Sequence, residues 1–133
     1  IGGTVGTNIY YTAKAKLGSK FVYGAAGPDV FDDAGLVYYA HRLNNCTIPR
    51  TLRAMKEGNS ISYYNAMKGD VVFFDNYRRC GILRRLVFLS EKEAIKKPTY
   101  AVEVLTLSGV RSTVEMINFY DNKLAYKIVR YWK

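Results

Sequence analysis

The stretch Lys68-Gly69-Asp70-Val71-Val72-Phe73-Phe74 separates two halves of the chain that differ in character. Its first three residues are typical of a turn, and the four apolar residues that follow predict a short buried strand. Four later segments also have strand character, at residues 81–89, 100–107, 109–114 and 124–131. We therefore predict a central antiparallel sheet of about five strands after residue 70.

The half before this stretch carries helical patterns. Asn8 to Leu17 has apolar residues four positions apart and is followed by Gly18, so it predicts a short helix. Residues 34–43 predict a second, buried helix with Asp32 or Asp33 at its N-cap, and residues 49–55 predict a short third helix or turn. Helices followed by strands indicate an α+β fold in which N-terminal helices pack on the sheet.

Length and composition limit the classes of protein that need to be considered. The 133 residues fit one domain spanning 1–133, in which about the first seven residues form a short extension. A hydrophobic fraction of 49% excludes intrinsic disorder, and no apolar run reaches the roughly 18 residues of a membrane span. Two cysteines are too few for a disulfide scaffold or a four-thiolate zinc site, so no metal or cofactor is expected.

The charge balance bears on partners. Twenty Lys and Arg against eleven Asp and Glu give a formal net charge of +9, which favours an anionic partner. That partner is expected to be an acidic protein surface in a larger assembly or a cell-wall polymer; nucleic acid is less favoured because no recognised binding module is present. Arg78, Arg84 and Arg85 are predicted to form its contact patch, and the alternative is a solvated strand edge. The compartment is left open between secretion after signal-peptide removal and an intracellular assembly.

A set of short motifs occurs along the chain in a recognisable order. The set comprises Ala13–Gly18, Phe21–Gly24, Gly27–Asp32, Ile48–Thr51, Lys68–Phe74, Gly81-Ile82, Gly109–Arg111 and Arg130. In order and spacing it resembles the NlpC/P60 family of papain-like cell-wall endopeptidases, over roughly residues 12–130. The resemblance implies a papain-like fold and an ancestral activity of cysteine peptidase or amidase on peptidoglycan stem peptides.

The catalytic positions implied by the resemblance hold other residues. Where the family has Asp-Cys-Ser-Gly-Leu-Val, this chain has Asp32-Asp33-Ala34-Gly35-Leu36-Val37. The nucleophile position is thus Asp33, the histidine position is Arg79, and the position that orients the histidine is Leu105, within one residue. The reaction needs a thiolate beside an imidazole base, and an arginine cannot accept a proton near neutral pH. We therefore expect an inactive member kept for binding or structure; the alternative is an active hydrolase with catalytic residues elsewhere.

The one histidine and two cysteines offer little support for that alternative. His41 lies eight positions beyond Asp33 on the same predicted helix, about two turns away, and is interpreted as a packed helix residue. Cys80 is expected to point into the core because side chains alternate along a strand, and Cys46 is also expected to be buried. Neither thiol is a credible replacement nucleophile.

Two further residues gain candidate binding roles from the resemblance. Asp32 matches a family residue associated with the free amine of a stem peptide, and Tyr23 lies where an aromatic residue lines the cleft. A helix cap and a packed ring are the structural alternatives. At the former catalytic site we predict that Asp33 and Arg79 form an ion pair, with Arg79 filling the cleft and Glu103 sharing its guanidinium.

Overall fold

A computed structural model describes residues 2–62, 65–75, 77–92, 97–116 and 127–133. In chain order the elements are α1 (Gly2–Lys14), β1 (Lys20–Phe21), β2 (Val30–Phe31), α2 (Asp33–Arg42), α3 (Leu52–Met55), β3 (Val71–Phe74), β4 (Arg79–Lys92), β5 (Lys97–Thr106), β6 (Gly109–Met116) and β7 (Lys127–Val129). The structure confirms the α+β class and the five-stranded antiparallel sheet, whose strand order is β6-β5-β4-β3-β7. Strands β1 and β2 form a separate parallel pair.

Most predicted elements are present, with longer strands. The predicted strand at 71–74 matches β3, while β4 and β5 extend past the limits set by the apolar pattern. The last predicted strand, 124–131, is represented by Lys127–Val129, and its residues 124–126 lie outside the described residues.

The sheet separates two buried clusters. One packs against α1 and α2 and contains Ile9, Phe31, Leu36, Phe73, Cys80, Ile82 and Leu105. The other lies on the opposite face and contains Val72, Phe74, Leu83, Val102, Val104 and Ile128.

Helix α1 begins six residues before the predicted start at Asn8. The expected extension of about residues 1–7 is therefore mostly the first part of this helix. Gly6 is buried where a Cβ would overlap the Lys68 carbonyl oxygen and lie 2.6 Å from Cζ2 of Trp132. Packing of this kind supports helix in a glycine-rich segment whose own propensity is low, which is why the sequence pattern alone missed it.

The turn at Lys68-Gly69-Asp70 is tied by an ion pair to Arg130, the residue that follows strand β7. The Asp70 side chain is fully buried and accepts hydrogen bonds from Arg130 Nε at 2.7 Å and Arg130 Nη2 at 2.8 Å. Asp70 also accepts from the Met67 backbone N–H at 2.8 Å, and the Arg130 guanidinium lies 4.6 Å from the Trp132 ring centroid. These contacts give the Lys-Gly-Asp motif and Arg130 a structural role.

Candidate functional site

The site is built at the N-terminus of α2, where Asp32 is the N-cap. Asp32 Oδ1 accepts a hydrogen bond from the Gly35 N–H at 2.6 Å, and Oδ2 accepts one from the Gly24 N–H at 2.9 Å. Arg50 Nη2 lies 3.4 Å from both oxygens. The Asp32 carboxylate therefore caps the helix and ties the preceding loop and Arg50 to it, as the capping interpretation predicted.

Asp33, the first residue of α2, faces the start of β4. Its Oδ2 lies 2.8 Å from Arg79 Nε, and its Oδ1 lies 3.2 Å from Arg79 Nη2. The side chains are 15% and 36% exposed, respectively, so the pair is partly screened by solvent. The predicted contact between these two residues is confirmed as a two-point ion pair. The hydrogen bond to the Asp33 carboxylate raises the pKa of Arg79 above its ordinary value.

The β3–β4 hairpin positions Arg79. Phe74 pairs with Arg79 in the strand register, and the Arg79 guanidinium lies 5.3 Å from the Phe74 ring centroid. The guanidinium is thus within cation–π distance of an aromatic ring while its Nε and Nη2 reach Asp33. These contacts from two sides restrict the orientation of the side chain.

One expectation for this site is wrong. Glu103 does not share Arg79: its Oε1 pairs with Arg85 Nε at 2.6 Å and with Arg84 Nη1 at 3.6 Å. Leu105 is fully buried in the core opposite Ile82 on β4, where an apolar side chain suits the helix-facing cluster. The next residue, Thr106, is a buried polar residue whose hydroxyl donates to the Gly109 carbonyl at 3.0 Å.

A cleft of about 540 Å³ lies beside the ion pair. Arg79 was expected to fill this cleft, but the cleft is open. Arg79 is held against Asp33 and Phe74, and the neighbouring residue Arg78 lines the cleft instead. Tyr23 lies at the cleft with 92% of its surface exposed, so it is not a packed ring. The lining consists of Phe21, Tyr23, Gly24, Asp32, Asp33, Ala34, Arg50, Thr51, Leu52 and Arg78.

Arg50 is a site residue to which sequence reasoning gave no role. It lies in the Ile48-Pro49-Arg50-Thr51 motif, so the signal was present, but nothing local shows that this motif folds back onto the cap of α2.

The three arginines that were predicted to form one patch lie at two separate places on the structure. Arg78 lines the cleft, whereas Arg84 and Arg85 pair with Glu103, roughly 20 Å further along the strand by the rise of an extended chain.

The histidine and the thiols lie elsewhere. His41 is fully buried and donates from Nδ1 to the Val37 carbonyl at 2.8 Å, which confirms its interpretation as a packed helix residue. Both cysteines are free thiols. Cys80 is buried, as predicted, and burial raises its pKa; Cys46 is half-buried rather than buried, and burial raises its pKa as well. A thiol with a raised pKa is a poor nucleophile.

The described residues contain no group of three or more His, Cys, Asp or Glu side chains placed to hold a metal ion. Within the same residues, no helix is long and apolar enough to cross a membrane.

The structure is thus an α+β domain in which the N-terminus of a central helix meets a strand of an antiparallel sheet beside an open cleft. The family model described as "NlpC/P60 family" matches residues 18–119, and the chain belongs to that family.

Among curated proteins, the "Probable endopeptidase Cgl2188" of Corynebacterium glutamicum is 36% identical over 72 residues, covering 53% of this chain and 34% of that protein. The "Probable endopeptidase p60" of Listeria seeligeri is 36% identical over 64 residues, covering 47% of this chain and 12% of that protein. The aligned region is therefore 34% of the length of the first relative and 12% of the length of the second.

Solved structures share the fold. NlpC1 from Trichomonas vaginalis matches with a TM-score of 0.59 and 24% identity, covering 96% of this chain and 44% of that one. The NlpC/p60 domain of the peptidoglycan hydrolase SagA matches with a TM-score of 0.54 and 20% identity, covering 94% of this chain and 97% of that domain. At these identities the likeness concerns the fold alone.

Proposed function

We propose that this chain is a catalytically inactive NlpC/P60 domain retained as a binding or structural module for an anionic partner. The observation that carries the proposal is the two-point ion pair between Asp33 and Arg79. It stands at the two positions where the family resemblance implies a nucleophilic cysteine and its histidine base.

The chemistry of this pair supports loss of hydrolysis. A carboxylate attacking an amide would give an anhydride intermediate, and the neighbouring guanidinium cannot act as a general base. The pair also replaces the charges of a thiolate–imidazolium pair, carboxylate for thiolate and guanidinium for imidazolium. Asp33 keeps the favourable interaction of an anion with a helix N-terminus, so the exchange preserves the electrostatics of the site while removing its reactivity.

Net charge supports an anionic partner. The formal charge of +9 makes approach of an acidic protein surface or an anionic cell-wall polymer favourable. Arg78 lines the open cleft, and the side chains of Arg84 and Arg85 are 40% and 60% exposed at Glu103. Tyr23 and Asp32 offer an exposed ring and a carboxylate at the same cleft, although two backbone N–H groups and Arg50 already occupy the carboxylate.

The test of inactivity is digestion of peptidoglycan stem peptides followed by mass spectrometry. The unchanged protein should release no fragments, and fragment release would overturn the proposal in favour of the active hydrolase. The double variant Asp33→Cys with Arg79→His should show cleavage that neither single variant shows, if only the reactive pair has been lost. Circular dichroism of all variants checks that they are folded.

The test of the partner is recovery of bound material from the native source. Changing Arg78, Arg84 and Arg85 together to Glu should abolish recovery without unfolding the domain. The control changes three other exposed cations, Lys20, Arg53 and Lys133, to Glu and therefore has the same net charge. An equal loss of partner recovery in both variants would indicate attraction by net charge alone. Unchanged recovery in the arginine variant would show that the three arginines are only a solvated strand edge.

A further inference from the structure

A basic surface forms where α1, the turn at Lys68 and strand β4 meet. It consists of Tyr11, Lys14, Lys68, Arg84 and Arg85, and we refer to these five residues as the α1 basic surface. None of them is among the residues that line the cleft. Tyr11 is 51% exposed, Lys14 is exposed and Lys68 is half-buried, so the surface is open to solvent.

Two lysines converge on one tyrosine ring. Nζ of Lys14 lies 5.7 Å from the Tyr11 ring centroid, and Nζ of Lys68 lies 5.4 Å from the same centroid. Lys68 also lies 5.0 Å from the ring centroid of Tyr10, which packs edge-on against Tyr11. Each ammonium group is therefore within cation–π distance of the Tyr11 ring, so two positive charges are held around one aromatic side chain.

A backbone hydrogen bond between the turn and strand β4 places the two arginines beside Lys68. The Gly69 N–H donates to the Leu83 carbonyl at 3.0 Å, which places the residue after Lys68 beside the residue before Arg84. Burial raises the pKa of Tyr10 while the nearby charge of Arg84 opposes that rise. Close packing of Gly6 against Lys68 fixes α1 to the turn, so the cations are carried by elements locked together.

The charges of this surface are only partly neutralised. Its residues carry four positive charges, and in the described part of the chain Glu103 is the carboxylate that pairs with Arg84 and Arg85. A carboxylate is therefore the anion already bound by these arginines, at 2.6 Å from Arg85 Nε. Arginine suits this role because its fork of donors matches a carboxylate.

We propose that the α1 basic surface binds an acidic polypeptide segment with several Asp or Glu residues in succession. Carboxylates from such a segment would reach the two lysines and the outer donors of Arg85. Nucleic acid fits less well, because the Tyr11 ring on which a base would stack already has ammonium groups at 5.7 Å and 5.4 Å from its centroid. The inference rests on the anionic partner of the proposed function and specifies its chemistry and contact surface; it does not depend on the loss of catalysis.

The experiment measures binding of a fluorescent octaglutamate peptide to the whole chain by anisotropy at low and at physiological salt. The unchanged protein should bind, with affinity falling as salt rises. Lys14→Gln with Lys68→Gln should weaken binding about tenfold, in line with the modest contribution of each exposed ion pair. The matched control, Lys20→Gln with Arg53→Gln, has the same net charge and should change the affinity less than twofold.

Three other outcomes would contradict different parts of the inference. Equal weakening by both double variants would overturn the assigned surface while leaving the anionic partner in place. Tighter binding of an oligothymidylate or of inorganic polyphosphate than of octaglutamate, at equal charge and salt, would overturn the acidic polypeptide. Failure of all three probes to bind would overturn the anionic partner as well. None of these results bears on peptide hydrolysis, which tests the other half of the proposed function.

Discussion

Asp33 and Arg79 are 46 residues apart in sequence and meet at two points, with Nε–Oδ2 at 2.8 Å and Nη2–Oδ1 at 3.2 Å. The contact joins the first residue of α2 to the first residue of β4, so it links the helical layer to the sheet. A charged pair in this place stabilises the junction between the two layers.

We expect the pair to contribute measurably to the free energy of unfolding. Asp33→Ala or Arg79→Ala should each destabilise the domain by about 2 kcal/mol, between the values for exposed and fully buried pairs, because Asp33 is 15% and Arg79 36% exposed. Since either change already breaks the pair, the double variant should cost clearly less than the sum of the two. Urea denaturation of the four proteins measures this.

The matched control is the same set of two single variants and one double variant, made at Arg85 and Glu103. Arg85 is 60% exposed, so the coupling between these residues should be smaller than that between Asp33 and Arg79. Additive effects of Asp33→Ala and Arg79→Ala would show that the ion pair contributes nothing to folding stability.

Asp70→Asn should destabilise the domain by about 3 kcal/mol. The Asp70 side chain is fully buried and bonded to two nitrogens of Arg130, so an amide in its place leaves the guanidinium without its counter-charge. Thermal or urea unfolding measures the loss. Asp29→Asn, at an exposed residue, is the control and should stay within about 0.5 kcal/mol of the unchanged protein. A similarly small effect of Asp70→Asn would contradict a structural role for this ion pair.

The sequence predicts the layers because they depend on strong local signals. Turn residues before a run of apolar residues identify β3, and Asp33 follows a good N-cap residue. The contact between Asp33 and Arg79 is long-range, and it is predicted only from the family resemblance, which places these residues at the positions of a contacting catalytic pair. The start of α1 could not be predicted in this way, because a segment with glycine at positions 2, 3 and 6 becomes helical through packing against Lys68 and Trp132.

Side-chain partners across the sheet are the part that sequence reasoning missed. Glu103 pairs with Arg85 because the register of β4 and β5 sets these two residues opposite each other, and a register is not readable from one strand. Arg50 reaches Asp32 only because the loop before α3 returns to the cap of α2. Both contacts depend on long-range geometry.

Gly6→Ala should destabilise the domain by about 2 kcal/mol, since a Cβ at this position would overlap the Lys68 carbonyl oxygen and crowd the Trp132 ring. Without that steric conflict, alanine would stabilise a helix relative to glycine. The sign of the change in the free energy of unfolding therefore shows whether Gly6 is closely packed. Thr4→Ala, at an exposed position of the same helix, is the control and should be neutral or slightly stabilising. Stabilisation by Gly6→Ala would show that α1 is not held closely against the turn.

The buried His41 makes stability depend on pH. Burial lowers its pKa from 6.5 to about 4, against the weaker opposing effect of the Val37 carbonyl. Its Nε2 has no hydrogen-bond partner among the residues that the structure describes, so a proton added there would be a buried charge without a counter-ion. The unfolded chain therefore binds a proton more readily than the folded one does.

It follows that the stabilising contribution of neutral His41 is complete above about pH 6.5 and is lost as the pH falls from there to about 4. The loss should approach about 3 kcal/mol, the free-energy equivalent of that pKa difference. Carboxylates also titrate in this range, so the measurement is the difference in urea midpoints between the unchanged protein and His41→Gln at pH 7.5 and pH 4.5. The variant should lose less stability on acidification. Parallel losses in both proteins would show that His41 does not control the acid sensitivity of the fold.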